Sequence, residues 1–217
     1  MSIKELLALL GEHYHEGGWM MHGIAATGII AFAIFCERFY IIWIKAKFSK
    51  EEYLVTIKKF LSERNVDGAI AWLQEREHPL ANILRAGLVQ FKSGDPKFKE
   101  AMDLASISNM PQLEKRTGYL AMLGNIATLA GLLGTVVGLI GAFGAVGGAE
   151  ASKKAEILAA SISEAMNCTA FGIGTAIPCL LSFAIVSSKT TAVISDIETV
   201  SATVSDFLER IAEKEAA

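Results

Sequence analysis

The stretch GLLGTVVGLIGAF, residues 131–143, decides the fold of this chain. It lies inside the segment 117–149, which is 33 residues long and contains no charged residue. A helix needs about 20 apolar residues to cross a bilayer, so this segment is long enough. Glycine weakens helices in water, but in lipid it lets helix backbones approach closely. The segment therefore predicts a membrane helix that packs on its neighbours through Gly131, Gly134 and Gly138.

Two further apolar segments, 17–44 and 157–188, are also long enough to cross a bilayer. Over the whole chain, 52% of the residues are hydrophobic, and the net charge of −3 argues against nucleic acid as the main partner. The three cysteines lie within or beside apolar segments and are interpreted as small buried packing residues: Cys36, Cys168 and Cys179. The sequence predicts an all-α, polytopic membrane protein with three transmembrane helices.

The rest of the chain is divided around these three spans. We expect an amphipathic segment at the membrane surface, a helical loop, a short connection and a helical tail, at residues 1–16, 45–116, 150–156 and 189–217. In the tail, apolar residues recur at intervals of four and three, at positions 193, 197, 200, 204, 207 or 208, and 211. The second and third helices are therefore expected to extend into a cytoplasmic helical bundle.

The loop 45–116 has its own helical pattern. Apolar periodicity predicts helices over 51–64, 69–75 and 79–91, and a further helix begins near Lys97. We expect Asn65 and the Asp67-Gly68 pair to interrupt the helical pattern after the first helix, and Pro111 to kink or divide the last one. The loop contains no phosphate loop and no nucleophile–base pair, so no enzyme activity and no cofactor are predicted.

Basic residues orient the chain in the membrane. Thirteen of the 20 lysines and arginines lie in the loop 45–116. The positive-inside rule therefore puts this loop in the cytoplasm. With three spans, the amino terminus and the connection 150–156 lie on the periplasmic side, and the carboxyl terminus lies in the cytoplasm.

Polar groups inside the apolar segments are candidates for function. Glu164 is the acidic residue of the third span, and such groups usually face a bundle interior or water. The alternative is that Glu164 lies among the outer headgroups. Thr135 and Thr169 each provide a hydroxyl that can donate and accept a hydrogen bond, although threonine in a membrane helix often bonds only its own i−4 carbonyl.

Other polar groups are interpreted structurally. Glu37 and Arg38 follow the first span and are expected to form an interfacial ion pair. His13, His15 and Glu16 are of residue types that commonly bind metal ions. No further ligand completes a tetrahedral set, so no metal site is predicted. Because no aspartate lies at mid-membrane, either there is no ion pathway or a partner supplies the carboxylate.

Several motifs together resemble the MotA/TolQ/ExbB proton channel family, and within it the ExbB/TolQ branch. These are GLLGTVVG at 131–138 with Phe143, and ISEA at 162–165 followed by Thr169-Ala170, Gly172 and Ile177-Pro178. Glu37-Arg38 and LEKR at 113–116 agree with them. The resemblance implies that Thr135 and Thr169 line an ion pathway, with Glu164 as the third-span glutamate. Gly172 and Pro178 join the three glycines as expected packing positions.

The resemblance also implies partners and a function. It implies a homopentamer in the bacterial inner membrane that encloses single-span helices of an ExbD/TolR-like partner, which carries the membrane aspartate. Ion flow would then drive movement that reaches a TonB-like or other envelope-spanning component. The alternative is a non-conducting helical scaffold. We favour protons as the ion, but Thr128 stands where the family commonly has proline, and Asn167 adds polarity, so sodium stays the alternative.

Overall fold

The computed structural model describes residues 18–148 and 150–216, with side chains up to Lys214. These residues are helical or lie in short connections between helices, and they contain no strand, which confirms the predicted all-α fold. The predicted amphipathic segment 1–16, with His13, His15 and Glu16, lies outside the described residues.

Eight α-helices and one short π-helix follow one another through the described residues. They are α1 (Met20–Tyr40), which continues into the π-helix Ile41–Lys45, then α2 (Lys50–Ser62), α3 (Val66–Gln74), α4 (Pro79–Lys92), α5 (Phe98–Asn109), α6 (Pro111–Glu114), α7 (Thr117–Gly148) and α8 (Lys154–Ala216). Three stretches are long and apolar enough to cross a membrane: Met20–Lys45, Phe98–Gly148 and Lys154–Lys214. This agrees with the three spans expected from the sequence.

Capping side chains set the starts of the loop helices. Ser49 accepts a hydrogen bond from the backbone N–H of Glu52 at the start of α2. Asn65 accepts one from the N–H of Gly68 at 2.9 Å, so α3 already begins at Val66. The prediction that Asp67-Gly68 interrupts the helical pattern is therefore wrong, because the Asn65 cap starts a new helix there. The division at Pro111 is confirmed, since α5 ends at Asn109 and α6 begins at Pro111.

The third long helix begins earlier than expected. Helix α8 starts at Lys154, inside the predicted connection 150–156, after a turn at residues 151–153. Glu156 lies in its first turn, where a negative charge interacts favourably with the positive end of the helix dipole. The predicted third span, 157–188, therefore lies entirely within a longer helix.

His78 ties the start of α4 to the segment that follows the π-helix. Its Nδ1 accepts the N–H of Leu80 at 3.1 Å, and its Nε2 lies 3.3 Å from the carbonyl oxygen of Ala46. One nitrogen that accepts and one that donates define a neutral imidazole. Burial lowers the pKa of His78 below its usual value. The ring also packs 4.9 Å from the ring of Phe48.

The chain divides into two compact units, of which the first consists of residues up to Cys36 together with Arg116–Ile185. Its described part contains most of α1, all of α7 and the first half of α8. One buried apolar cluster in this unit joins Ile24, Ala127 and Ala176, with Ala130 and Phe171 packed against it. One residue from each of the three helices contributes to the centre of this cluster.

Many large apolar side chains of the first unit point away from the chain itself. On α7 these include Leu129, Leu132, Ile140 and Phe143. Cys168 and Cys179 are buried as predicted, but Cys36 is exposed. The prediction for Cys36 is wrong because this residue shares a face of α1 with Phe32 and Phe39, which are also exposed.

The second unit consists of Glu37–Lys115 and Val186–Ala217. Its core combines apolar residues of α2 to α6 with the seam that runs along the second half of α8. The seam confirms the interval pattern of the sequence, because its buried members are Val193, Ile197, Val200, Val204 and Leu208. The predicted helical bundle is therefore present in this unit.

Candidate ion pathway

Helices α7 and α8 approach each other closely where two glycines meet. A Cβ added to Gly172 would lie 2.7 Å from the carbonyl oxygen of Ala127 and 2.9 Å from the Cα of Gly131. A Cβ on Gly131 would lie 3.0 Å from the carbonyl oxygen of Cys168. These neighbours are backbone atoms, which cannot rotate away. A side chain at 172 would therefore overlap the backbone of α7, and one at 131 would need the helices to move apart by a few tenths of an ångström.

The other predicted glycines extend this contact along α7. A Cβ on Gly134 would lie 2.8 Å from the Cβ of Cys168, and one on Gly138 would lie 3.0 Å from the Cβ of Ala165. Gly124 belongs to the same row, since its Cβ would lie 3.3 Å from the carbonyl oxygen of Ala176. Gly124 was not predicted as a packing position, although the seven-residue spacing of Gly124, Gly131 and Gly138 indicates one face of the helix.

Pro178 differs from these glycines. It lies inside α8, and its side chain is exposed in the single chain. A packing role for Pro178 therefore stays a prediction.

Thr135 and Thr169 meet directly across the contact between α7 and α8. Their hydroxyl oxygens are 2.5 Å apart, and each lies within hydrogen-bond distance of the carbonyl oxygen of Gly131, at 3.1 Å for Thr135 and 3.0 Å for Thr169. Thr135 therefore does bond its own i−4 carbonyl, but Thr169 crosses from the other helix to the same oxygen. We call these three groups the oxygen cluster; its carbonyl was not predicted from the sequence.

The oxygen cluster can be described by counting hydrogens. Two hydroxyls bring two hydrogens to three oxygen–oxygen contacts. Because the 2.5 Å contact between the hydroxyl oxygens needs one hydrogen between them, one hydrogen is left to donate to the carbonyl. Both hydrogens are then used within the cluster, and the remaining oxygen lone pairs act as acceptors. Such a cluster can accept a hydrogen bond from a protonated carboxyl group or from water, or contribute oxygen ligands to a hard cation.

Thr128 provides a comparison on the same helix. It lies seven residues before Thr135, and its hydroxyl bonds the carbonyl oxygen of Gly124 at 3.1 Å. Within the described residues, the Thr128 side chain forms a hydrogen bond with this backbone carbonyl alone, and the residue is exposed. Thr128 thus shows the backbone-only arrangement that was the alternative for Thr135.

Glu164 lines a small cavity of the same unit. The cavity has a volume of about 200 Å³, and its lining includes Glu164, Ser161, Cys168 and Trp19. One carboxylate oxygen of Glu164 lies against the backbone of Gly18. The structure therefore brings Thr135 and Thr169 together, and their hydrogen bonds within the described residues are with each other and with Gly131, not with Glu164.

Two other sequence predictions concern charged groups. Arg38 bonds Glu37 through Nη2 at 3.1 Å, as expected for an ion pair, although its side chain is only 3% exposed. The part of the chain that the structure describes has no group of three or more His, Cys, Asp or Glu residues that could hold a metal ion.

Comparisons with known proteins were made for the whole chain. The search among curated proteins found no match. A family model, described as the MotA/TolQ/ExbB proton channel family, matches residues 75–199. The matched region covers more than half of the chain and includes α7, the oxygen cluster and Glu164. The chain therefore belongs to the MotA/TolQ/ExbB proton channel family.

Proposed function

We propose that this chain is the proton-conducting stator subunit of a motor complex in the bacterial inner membrane. The complex converts ion motive force into mechanical work for envelope transport or motility, as in the ExbB/TolQ branch. The observation that carries this proposal is the oxygen cluster, in which Thr135 and Thr169 meet at the carbonyl of Gly131 within an apolar pair of helices.

The cluster itself contains no ionisable group, and we infer that another chain supplies the proton carrier. We propose a single-span, ExbD/TolR-like partner with a membrane aspartate. When protonated, that carboxyl group donates a hydrogen bond to a lone pair of the cluster. When it is ionised, a threonine hydroxyl rotates and donates to it. Each charge that crosses 100 mV releases about 2.3 kcal/mol, which can drive this rearrangement.

The proposed assembly is a homopentamer around the partner helices. The exposed apolar faces of α1, α7 and α8 are suited to contact with lipid or with neighbouring copies. The concentration of basic residues in 45–116 supports a cytoplasmic second unit and a periplasmic amino terminus. A TonB-like or other envelope-spanning component would receive the force.

The test uses the complex with its partner, reconstituted in vesicles. Thr135→Val and Thr169→Val keep the side-chain shape but remove the hydroxyl, and we expect each to reduce proton flux at least tenfold. Thr128→Val is the matched control, because it removes a hydroxyl that bonds only backbone, and its flux should equal that of the wild type.

Three results would contradict parts of this proposal. Unchanged flux in both cluster variants would refute the assignment of the pathway to Thr135 and Thr169. Flux driven by a sodium gradient but not by a proton gradient would show that the conducted ion is sodium rather than the proton. A complex that assembles and conducts neither ion would favour the non-conducting scaffold.

A further inference from the structure

The second unit contains a cavity beside the end of the first span. Its volume is about 210 Å³, and its walls come from the segment 42–48 and from α8. The apolar part of the lining includes Ile42, Trp43, Phe48 and Val193. The charged groups at the cavity are Lys47, Lys189 and Asp196. The cavity thus has one apolar wall and a charged rim.

The net charge at this rim is positive. Asp196 forms an ion pair with Lys50, which offsets its negative charge. Lys47 and Lys189 are exposed, and neither forms an ion pair within the described residues. Lys47 lies in the connection between the π-helix and α2, and Lys189 lies in α8. An anion in the cavity can therefore interact with both.

Arg38 lies in the same unit but does not line this cavity. Its side chain is 3% exposed and forms an ion pair with Glu37 at 3.1 Å. The positive charge at the cavity itself therefore comes from Lys47 and Lys189.

The position of the cavity along the chain suggests what kind of anion binds there. Ile42 and Trp43 lie near the end of Met20–Lys45, the first stretch able to cross a membrane. Tryptophan is enriched at the headgroup level, and lysines beyond a span attract anionic lipids. Lys189 directly follows the third apolar segment 157–188.

We propose that this cavity binds the phosphate group of an anionic phospholipid. Lys47 and Lys189 contact the phosphate, and the apolar wall contacts the glycerol and the first acyl carbons. Free inorganic phosphate would leave that wall without a partner, so the lipid is the better match. This assignment rests on the transmembrane placement proposed above, but not on ion conduction.

The experiment measures lipid binding to the purified, delipidated full-length chain by native mass spectrometry. Phosphatidylglycerol is titrated against the wild type and against the double variant Lys47→Gln/Lys189→Gln. Each lysine near a membrane surface contributes about fivefold to anionic lipid binding, so we expect affinity to fall on the order of 30-fold. The double variant Lys58→Gln/Lys59→Gln is the matched control, since both lysines are exposed and distant in sequence from the cavity.

Three results would overturn the proposal. The first is an equal loss of affinity for phosphatidylglycerol in the two double variants. The second is equal affinity of the wild type for phosphatidylglycerol and phosphatidylethanolamine. The third is displacement of the bound lipid by millimolar inorganic phosphate. Lys189→Gln alone, with an expected fivefold loss, keeps the test decisive if the double variant unfolds. Because the readout is lipid binding, failure here leaves the proton-flux test of the proposed function unaffected.

Discussion

Gly172→Ala should separate the two helices that form the oxygen cluster. The added Cβ would lie 2.7 Å from the carbonyl oxygen of Ala127, whereas ordinary contacts begin at 3.4 Å. The backbones must therefore move apart by roughly 0.7 Å, because no side-chain rotation can relieve the overlap. The same movement would lengthen the 2.5 Å contact between Thr135 and Thr169 to about 3.2 Å, beyond the usual range for a hydroxyl hydrogen bond.

The expected cost of this overpacking is about 1–3 kcal/mol in the free energy of unfolding. For a chain of this size, that corresponds to a decrease in Tm of roughly 2–12 °C. The measurement is thermal unfolding in detergent by circular dichroism, together with proton flux of the reconstituted complex. We expect both Tm and flux to fall.

Gly174→Ala is the matched control on the same helix. A Cβ at Gly174 meets nothing within 4 Å, so the substitution should leave Tm unchanged or raise it, and should leave flux unchanged. If Gly172→Ala has the Tm and flux of the wild type, the close approach of α7 and α8 described here is refuted.

Three further predictions concern the second unit. His78→Asn keeps a hydrogen-bond acceptor for the N–H of Leu80 but has no side chain that titrates. Because burial lowers the pKa of His78 in the folded state, the unfolded state binds more protons below pH 6.5, and the Tm of the wild type should fall as the pH drops from 7 to 5. The Tm of the variant should lose the part of this pH dependence that comes from His78. Ile197→Ala should destabilise the unit by about 2–5 kcal/mol in chemical denaturation, because this side chain is 0% exposed, whereas Glu198→Ala beside it should change stability by less than about 0.5 kcal/mol. Lys50→Ala removes the ion pair with Asp196 at a partly exposed site and should lower the free energy of unfolding by no more than about 1 kcal/mol. A decrease above about 3 kcal/mol would contradict the interpretation of this pair as a surface ion pair.

The sequence predicted the spans and the seam of the tail because both depend on local apolar periodicity. Residues 117–149 contain no charge, and Ile197 and Val200 follow a regular interval, so neither prediction needed knowledge of distant contacts. The helix starts at Val66 and Lys154 were missed because a single cap or a first-turn charge shifts a boundary by a few residues.

The sequence could not predict the arrangement of the oxygen cluster. Thr135 and Thr169 are 34 residues apart, and their contact depends on the register between α7 and α8. That register is set by the glycine contact at Gly131 and Gly172, where backbone meets backbone. Burial of Arg38 was also not predicted, because a charged residue after a span is ordinarily expected in the polar headgroup region.

The central claim is that this chain provides one part of an ion pathway and that a partner provides the carboxylate. Its most direct test is purification of the complex from native membranes, followed by native mass spectrometry. The account predicts five copies of this chain together with a single-span partner that carries a membrane aspartate. A monomer, or a stable oligomer of this chain without such a partner, would contradict it.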